Sequence, residues 1–591
     1  MSVEKLIVDH METWTSALQT RSTAGRGSSG KIDLYGIKKL RELILELAVR
    51  GKLVPQDPHD EPASELLKRI AAEKAELVKQ GKIKKQKPLP EISEEEKPFE
   101  LPEGWEWVRL GNIAEYIQRG KGPKYSENGT VRVVSQKCVQ WSGFKLEQSR
   151  WITDESIPSY TEERFLKNGD VLWNSTGAGG TAGRVNFLET VKERLVVDSH
   201  VTIIRSIKQN GQFICNYIST YGIQQLFDPK HPKTLLSGTT NQAELNTSVV
   251  ISFITPFPPQ KEQERINTKV IELMSLCDQL EQQSLTSLYA HQQLVKTLLG
   301  TLTDSQNAEE LAENWTRISE HFDTLFTTEA SVDALKQTIL QLAVMGKLVL
   351  QDPNDEPASE LLKRIAQEKA QLVKEGKIKK QKPLPPISDE EKPFELPEGW
   401  EWCRLNDISS KITDGDHKTP PRIAEGYKLL SAKNIRDGYL DYNNCDYISA
   451  IDYEKSRERC LPEKGDLLIV SVGGTIGRSS LIKDCSDFAL VRSVAIIKPL
   501  LIEPEYLKLA MDSKLLQSMI HSHKRGGAQP CLYLGEISKF LFPTPPLAEQ
   551  RNIVNKVSIL MEKCRFLFLG LQSAQQTQLH LADALTNAAI N

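Results

Sequence analysis

At 591 residues the chain exceeds what one hydrophobic core supports, and usual domain sizes predict roughly three to five units. Hydrophobic residues make up 39% and charged residues 26%, which excludes a disordered or fibrous protein. Lys and Arg number 75 against 78 Asp and Glu, so no overall basic excess marks a nucleic-acid binder, although a local basic surface can sit inside a neutral total.

The amino terminus, MSVEKLIVDHMETW, lacks the charged-then-apolar run of a signal peptide, and no apolar run approaches the ~18–20 residues that span a bilayer. A cytoplasmic protein without membrane contact is expected. Nine scattered cysteines without a CxxC pair predict reduced, structural residues rather than a zinc site or disulfide framework.

In chain order, the apolar spacing of IKKLRELILELAV predicts an amphipathic helix over Ile37 to Val49. A second helix is expected over Ala63 to Gly81, entered after Pro62 and stopped by Gly81. The polar, proline-rich stretch KIKKQKPLPEISEEEKPFELPEG reads as an extended connector. Short Val/Ile/Tyr-rich runs separated by Gly-rich turns follow, predicting an α+β domain with substantial sheet. Beyond Pro259, a glycine-poor apolar pattern from Ile266 to Leu299 predicts a helix of about 35 residues, roughly 50 Å long.

The same series then starts again. Sliding the chain by 295 positions aligns Leu47–Trp107 with Leu342–Trp402, and about eight of some sixty positions differ. This is duplication of a half-protein, since the period far exceeds the 20 to 50 residues of a solenoid. Both copies end on LPEGWEW, and the sequences behind them diverge while keeping landmarks in order. GDVLWNSTGAGGTAGRV answers GDLLIVSVGGTIGRSS, PFPPQKEQERI answers PTPPLAEQRNI, and a second long helix is expected from Ile553 to Ala588. The expected units are a helical region and connector at 1–104, a variable domain at 105–265, a second helical region and connector at 266–399, a second variable domain at 400–552, and a final helix at 553–591. The carboxy-terminal helix of one half can pair with the amino-terminal helices of the other, which makes the fold class α+β, two α/β domains joined by long antiparallel helices in a pseudo-two-fold arrangement. Such a chain is a covalent dimer. On DNA it would read two unlike half-sites at a fixed gap, where a symmetric dimer reads a palindrome.

The duplicated LPEGWEW entry, the GD[VL]L…GG-T-x-GR segment and the PP-x-x-EQ exit before a long helix resemble the specificity subunit of type I restriction-modification enzymes. The likeness covers nearly the whole chain, and the long repeated segments resemble the type IB branch. It implies a non-catalytic subunit with two target-recognition domains, each binding one half of a bipartite asymmetric double-stranded DNA sequence. The helices would set the spacer and dock two methyltransferase subunits, through which two restriction subunits join. S-adenosylmethionine, ATP and magnesium are then expected in the partners and no cofactor in this chain.

The residues agree that catalysis lies elsewhere: the chain has no (D/N)PP(Y/F) tetrapeptide, no GxxxxGK[ST] loop and no GxGxxG that opens a helix. GGTAGR and GGTIGR read as tight turns, with Arg184 and Arg478 placed to approach a phosphate. HSHKRGG, with Lys524 and Arg525, reads as a basic loop, since no further ligand stands at metal spacing. Amides pair bidentately with adenine and Arg or Lys with guanine, so Gln242 and its counterpart Gln529 are candidates. Further candidates are Gln118, Arg119, Lys121, Gln136 and Lys137 in the first domain, with His417, Lys418, Lys433, Asn434 and Arg436 in the second. Trp105 and Trp400 are expected to pack at the base of each domain. The competing reading from another class is a helical scaffold with two protein-binding domains.

Overall fold

The computed structural model describes residues 3–21, 31–177, 180–238, 243–484, 487–527 and 530–590. They form two compact units, one from residues 3–21, 31–286 and 575–590 and the other from 287–574.

In the first unit the helix Tyr35–Val49 buries Ile37, Leu40, Leu43, Ile44 and Leu47, the apolar stripe visible in its sequence. Two long helices complete the frame. The first half of Gln260–Asp304 is held by Arg41, whose Nη2 donates to Asp278 at 2.6 Å and Glu281 at 2.9 Å. The end of Leu547–Ile590 is held by Tyr35 Oη on Asp583 at 2.7 Å and by Lys52 Nζ on the Ile590 carbonyl at 2.7 Å.

The second unit repeats this with the helices exchanged. Its helix Glu329–Val344 shares a core with Val295, Leu299 and Leu302 from the end of Gln260–Asp304, and Lys336 lies over the Phe568 ring from Leu547–Ile590. Lys347, the repeat counterpart of Lys52, donates to the Thr303 and Ser305 carbonyls at 2.7 and 2.8 Å. Terminal carbonyls of a helix have no partner within it, and in each unit one repeated lysine supplies the cation they favour. The packing expected from the duplication is therefore present inside each unit: helices of one half close on the end of the other half's long helix.

The long helices have 45 and 44 residues, where the apolar pattern predicted about 35. Each begins directly after a Pro-Pro pair. The first turns carry buried Glu262 and Gln263, or Glu549 and Gln550, and polar residues that face the interior do not register in a hydrophobic pattern.

Among the described residues, each variable domain is built on two larger sheets. In the first, Ala114–Arg119, Val201–Ser206, Val171–Asn174 and Val185–Phe187 lie side by side, all antiparallel. Against them stands a sheet in which Arg132–Val134 pairs in parallel with Leu195–Val197 and antiparallel with Arg150–Ile152. The second domain has the same order: Ser409–Asp414, Val494–Pro499, Leu467–Val470 and Ser479–Leu481, then Tyr427–Leu430 in parallel with Phe488–Leu490 and antiparallel with Asp446–Ile448. The GD pair in each domain belongs to this core. Asp170, fully buried, accepts from Arg205 Nε and Nη2 at 2.7 Å each, and Asp466 accepts from Lys498 at 2.6 Å. Burial raises both carboxyls above the usual carboxylate range, and the cation beside each opposes that rise.

Candidate nucleic-acid interface

Each domain is mounted by the repeated segment. Trp105 Nε1 donates to Glu262 Oε2 at 3.0 Å and Trp400 Nε1 to Glu549 Oε2 at 2.8 Å, so the indoles pack at the base of each domain. Burial pushes both carboxyls up. The strand Glu106–Arg109 pairs with Ile254–Phe257, and Glu401–Arg404 with Leu541–Thr544, so the first and last strands of each domain meet at its root. Arg109 reaches from there to the Pro90 and Ser252 carbonyls and Glu96; Arg404 reaches to Pro385, Lys539 and Glu391. Lys74 bonds Gln86 and the Gly111 carbonyl, and Lys369 bonds Gln381 and the Asn406 carbonyl. In each copy the connector is thus pinned near its start by the frame helix and in its middle by the first strand of the domain, beyond the plain extended linker that its composition suggested.

Away from the root, the strands of the first domain end on a common rim. Gly120 N bonds the Val201 carbonyl at 3.0 Å, Ser175 N the His200 carbonyl at 2.8 Å, and Asp198 N the Val134 carbonyl at 3.0 Å. At Gly120 a Cβ would lie 2.1 Å from the Val197 and Asp198 carbonyl oxygens, so only glycine lets the chain pass. Arg119 sits beside it, with Nε and Nη2 on the Ser199 carbonyl at 2.9 and 2.6 Å and Nη1 on Glu244. His200 Nδ1 meets Thr176 Oγ1 at 2.6 Å. Gln118 and Lys137 are exposed, while Gln136 Oε1 is buried with no donor among the described residues. Lys121 lies over the Tyr160 ring at 5.4 Å, and Arg184 donates to Gln140 and the Gly180 carbonyl.

The second rim uses the same backbone pattern. Gly415 N bonds Val494 at 3.3 Å, Ser471 N bonds Ser493 at 2.9 Å, and Val491 N bonds Leu430 at 3.1 Å. A Cβ on Gly415 would lie 2.0 Å from the Leu490 carbonyl oxygen. Where the first rim has Arg119, this one has Asp414. Its carboxylate accepts from Arg459 Nη2 at 2.7 Å and meets His417 Nε2 at 3.2 Å. Lys418 and Lys524 are exposed without an ion-pair partner among the described residues. Lys433 is tied to Asp446 at 3.1 Å, Arg436 to Asp441 at 3.8 Å and Arg525 to Glu536 at 3.4 Å; Arg478 donates to the Ile435 carbonyl.

The structure gathers Gln118, Arg119, Gln136 and Lys137 near one rim and His417 and Lys418 near the other. Asn434 is buried, its amide spent on the Asp441 and Asn444 carbonyls at 2.9 Å each, so it shapes the backbone and offers no edge to a ligand. Gln242 and Gln529 lie outside the described residues. The glycine motifs are turns: Gly180, Gly183, Gly473 and Gly477 have φ of 78°, 93°, 103° and 94°. Sequence reasoning passed over Ser199 and His200, with their topological counterparts Arg492 and Ser493, because these polar pairs sit directly before apolar strands and read as strand ends. Arg459 was missed because its helix, Ala450–Arg459, has only short 3-10 turns opposite it in the first domain.

Among the described residues no group of three or more His, Cys, Asp or Glu is placed to hold a metal ion, and no helix is long and apolar enough to cross a membrane. Buried Cys215 and Cys403 have thiols pushed up to about 12 by desolvation, which keeps them unreactive.

The family model of the type I restriction modification DNA specificity domain matches residues 102–289 and 397–567. The Escherichia coli type I restriction enzyme EcoAI specificity subunit is 53% identical over 608 aligned positions, and the EcoEI specificity subunit of the same organism is 48% identical over 611, with all of each chain covered in both cases. Among solved structures, the HsdS subunit from Thermoanaerobacter tengcongensis aligns with 84% of this chain and 98% of its own at 17% identity and a TM-score of 0.38, too distant to decide any residue's role. With two matched segments, each mounted on a copy of the same frame, the chain belongs to the specificity subunits of type I restriction-modification systems.

Proposed function

We propose that residues 105–265 and 400–552 are two target-recognition domains, each reading one half of a bipartite asymmetric DNA sequence through its rim. The observation that carries this reading is the contrast at one topological position: the frames are near-identical, yet Arg119 on one rim is replaced by Asp414 on the other. An arginine offers donors to guanine, whereas an aspartate accepts from cytosine N4 or, as here, aims neighbouring cations. Gln118, Arg119, Lys121, Gln136, Lys137, Arg184 and Gln242 are proposed for one half-site, and His417, Lys418, Lys433, Arg436, Arg478, Lys524, Arg525 and Gln529 for the other.

The helices set the spacer and dock two methyltransferase subunits, through which two restriction subunits join. Exposed Ile271, Tyr289 and Leu294 on one long helix, with Ile559, Phe566 and Leu569 on the other, support a docking role. Catalysis, with its S-adenosylmethionine, ATP and magnesium, belongs to those partners. Methylation inside a duplex requires the target adenine to leave the stack, and the role of this chain is to choose where.

The test is sequencing of N6-methyladenine in DNA from cells expressing the chain with and without a type I methyltransferase subunit that co-purifies with it. One bipartite asymmetric motif, present only with both, is expected. No new methylation from a soluble, assembled complex would overturn the reading and favour a protein-binding scaffold.

A further inference from the structure

Both domains carry a small hairpin, of which only Arg436 is among the residues proposed above for a half-site. In the first, Val139–Gln140 pairs with Gly143–Phe144, leaving Trp141 and Ser142 as the turn; in the second, Ile435–Arg436 pairs with Tyr439–Leu440 around Asp437 and Gly438. The roots are fixed in the same way. Lys145 N bonds the Cys138 carbonyl at 2.8 Å, and Asp441 N the Asn434 carbonyl at 2.8 Å. Asn174 and Asn186 amides hold the Val139 and Gln140 carbonyls, while in the second domain Arg478 holds the Ile435 carbonyl and the buried Asn434 amide fixes the Asp441 and Asn444 carbonyls just beyond the hairpin. Val139 and Phe144 pack into the domain core, as do Ile435 and Leu440.

The tips are the opposite of the roots. Trp141 is 53% exposed and Tyr439 is 60% exposed, so each hairpin holds a large aromatic face in water on strands rooted in the domain core. Each aromatic stands beside a half-buried polar side chain: Gln140, whose Oε1 accepts from Arg184 and whose Nε2 gives one proton to the Lys137 carbonyl at 2.8 Å and keeps a second, in the first hairpin, and Arg436, directly opposite Tyr439, in the second. Exposed Lys137 flanks the first tip and Lys433 the second. The aromatic stands in the turn in one domain and on the second strand in the other, so the two hairpins share a scaffold and differ in what they present.

We propose that these hairpins are the reading fingers of the two domains: Trp141 and Tyr439 stack on, or wedge between, bases of duplex DNA, and Gln140 and Arg436 determine a base in each half-site. This rests on the DNA-recognition reading above. An aromatic face contacts any base, so it adds affinity without a sequence code, while the adjacent amide or guanidinium supplies the code.

The experiment measures N6-methyladenine motifs for the full chain with its methyltransferase partner, as wild type and as W141A, W141F, Q140A, Y439A and R436A, followed by binding to a duplex carrying the wild-type motif. Expected are binding about tenfold or more weaker for W141A and Y439A, within about threefold of wild type for W141F, and loss of discrimination at one base of one half-site for Q140A and of the other half-site for R436A. Wild-type motif and affinity in all five variants would overturn the finger proposal while leaving DNA recognition standing. Absence of any motif for the soluble wild-type complex would overturn both. W141F, which keeps an aromatic ring, separates lost stacking from misfolding: a loss in W141F equal to that in W141A, with both soluble, overturns stacking as the role of Trp141.

Discussion

The two domains differ least at their roots and most at their rims. At the root, partner and geometry repeat: Trp105 and Trp400 each donate to a buried glutamate, Arg109 and Arg404 each join connector to domain, and Lys74 and Lys369 each cap a backbone carbonyl. At the rim, Gly120 and Gly415 still coincide, yet the next side chain inward is Arg119 on one and Asp414 on the other. A buried donor must keep its acceptor or leave an unsatisfied group, so the root repeats partner for partner. At the rim the side chain changes sign together with its partners: Arg119 is held by Glu244 and the Ser199 carbonyl, whereas Asp414, itself buried, is held by Arg459 and His417.

The largest effects are expected in the core behind the rims. Arg205→Ala leaves the fully buried Asp170 carboxylate without its bidentate partner and is expected to destabilise the first unit by about 3–5 kcal/mol, read as an earlier transition in chemical unfolding. Lys498→Ala should cost less, because lysine is a point charge with a single bond to Asp466. Gly120→Ala and Gly415→Ala, which drive a Cβ onto carbonyl oxygens, should each cost about 1–3 kcal/mol and abolish recognition by the affected half alone.

Trp105→Phe and Trp400→Phe should cost about 1–3 kcal/mol each by stripping a donor from a buried carboxylate, and equal losses would confirm that the mounts are equivalent. The glutamates add a pH dependence. Burial raises the folded carboxyl above its ordinary value of 4.5, so the favourable contribution is complete below that value and is lost as pH rises through the raised one. Glu549→Gln keeps an acceptor for Trp400 and should therefore gain stability relative to wild type as pH increases across that window. The smallest stability effect is expected at the rim. Arg119→Ala removes a partly exposed pair with Glu244 worth about 0–1 kcal/mol, yet should alter the methylation motif in one half only.

Much of the frame was legible because duplication needs no structure to be seen, and because Pro62, Gly81 and the Pro-Pro exits punctuate helices by local backbone chemistry. The candidate sites were legible only in part. Polar type and loop position picked out the strand end that bears Gln118 and Arg119, but could not separate exposed Lys418 from buried Asn434, since both are polar residues between strands. His200 and Arg492 were hidden because a polar residue before an apolar strand carries no signal until the neighbouring strands end beside it.

By itself, then, the sequence determined two copies of a helical frame, two divergent sheet-containing domains and the absence of recognised catalytic motifs, because these follow from identity, periodicity and local backbone preference. Tertiary structure decided which polar groups are spent inside. The fates of Glu262, Asp170, Asn434 and Arg119 depend on partners between 7 and 157 residues away, and burial by distant chain fixes whether a side chain holds the fold together or remains available to a ligand.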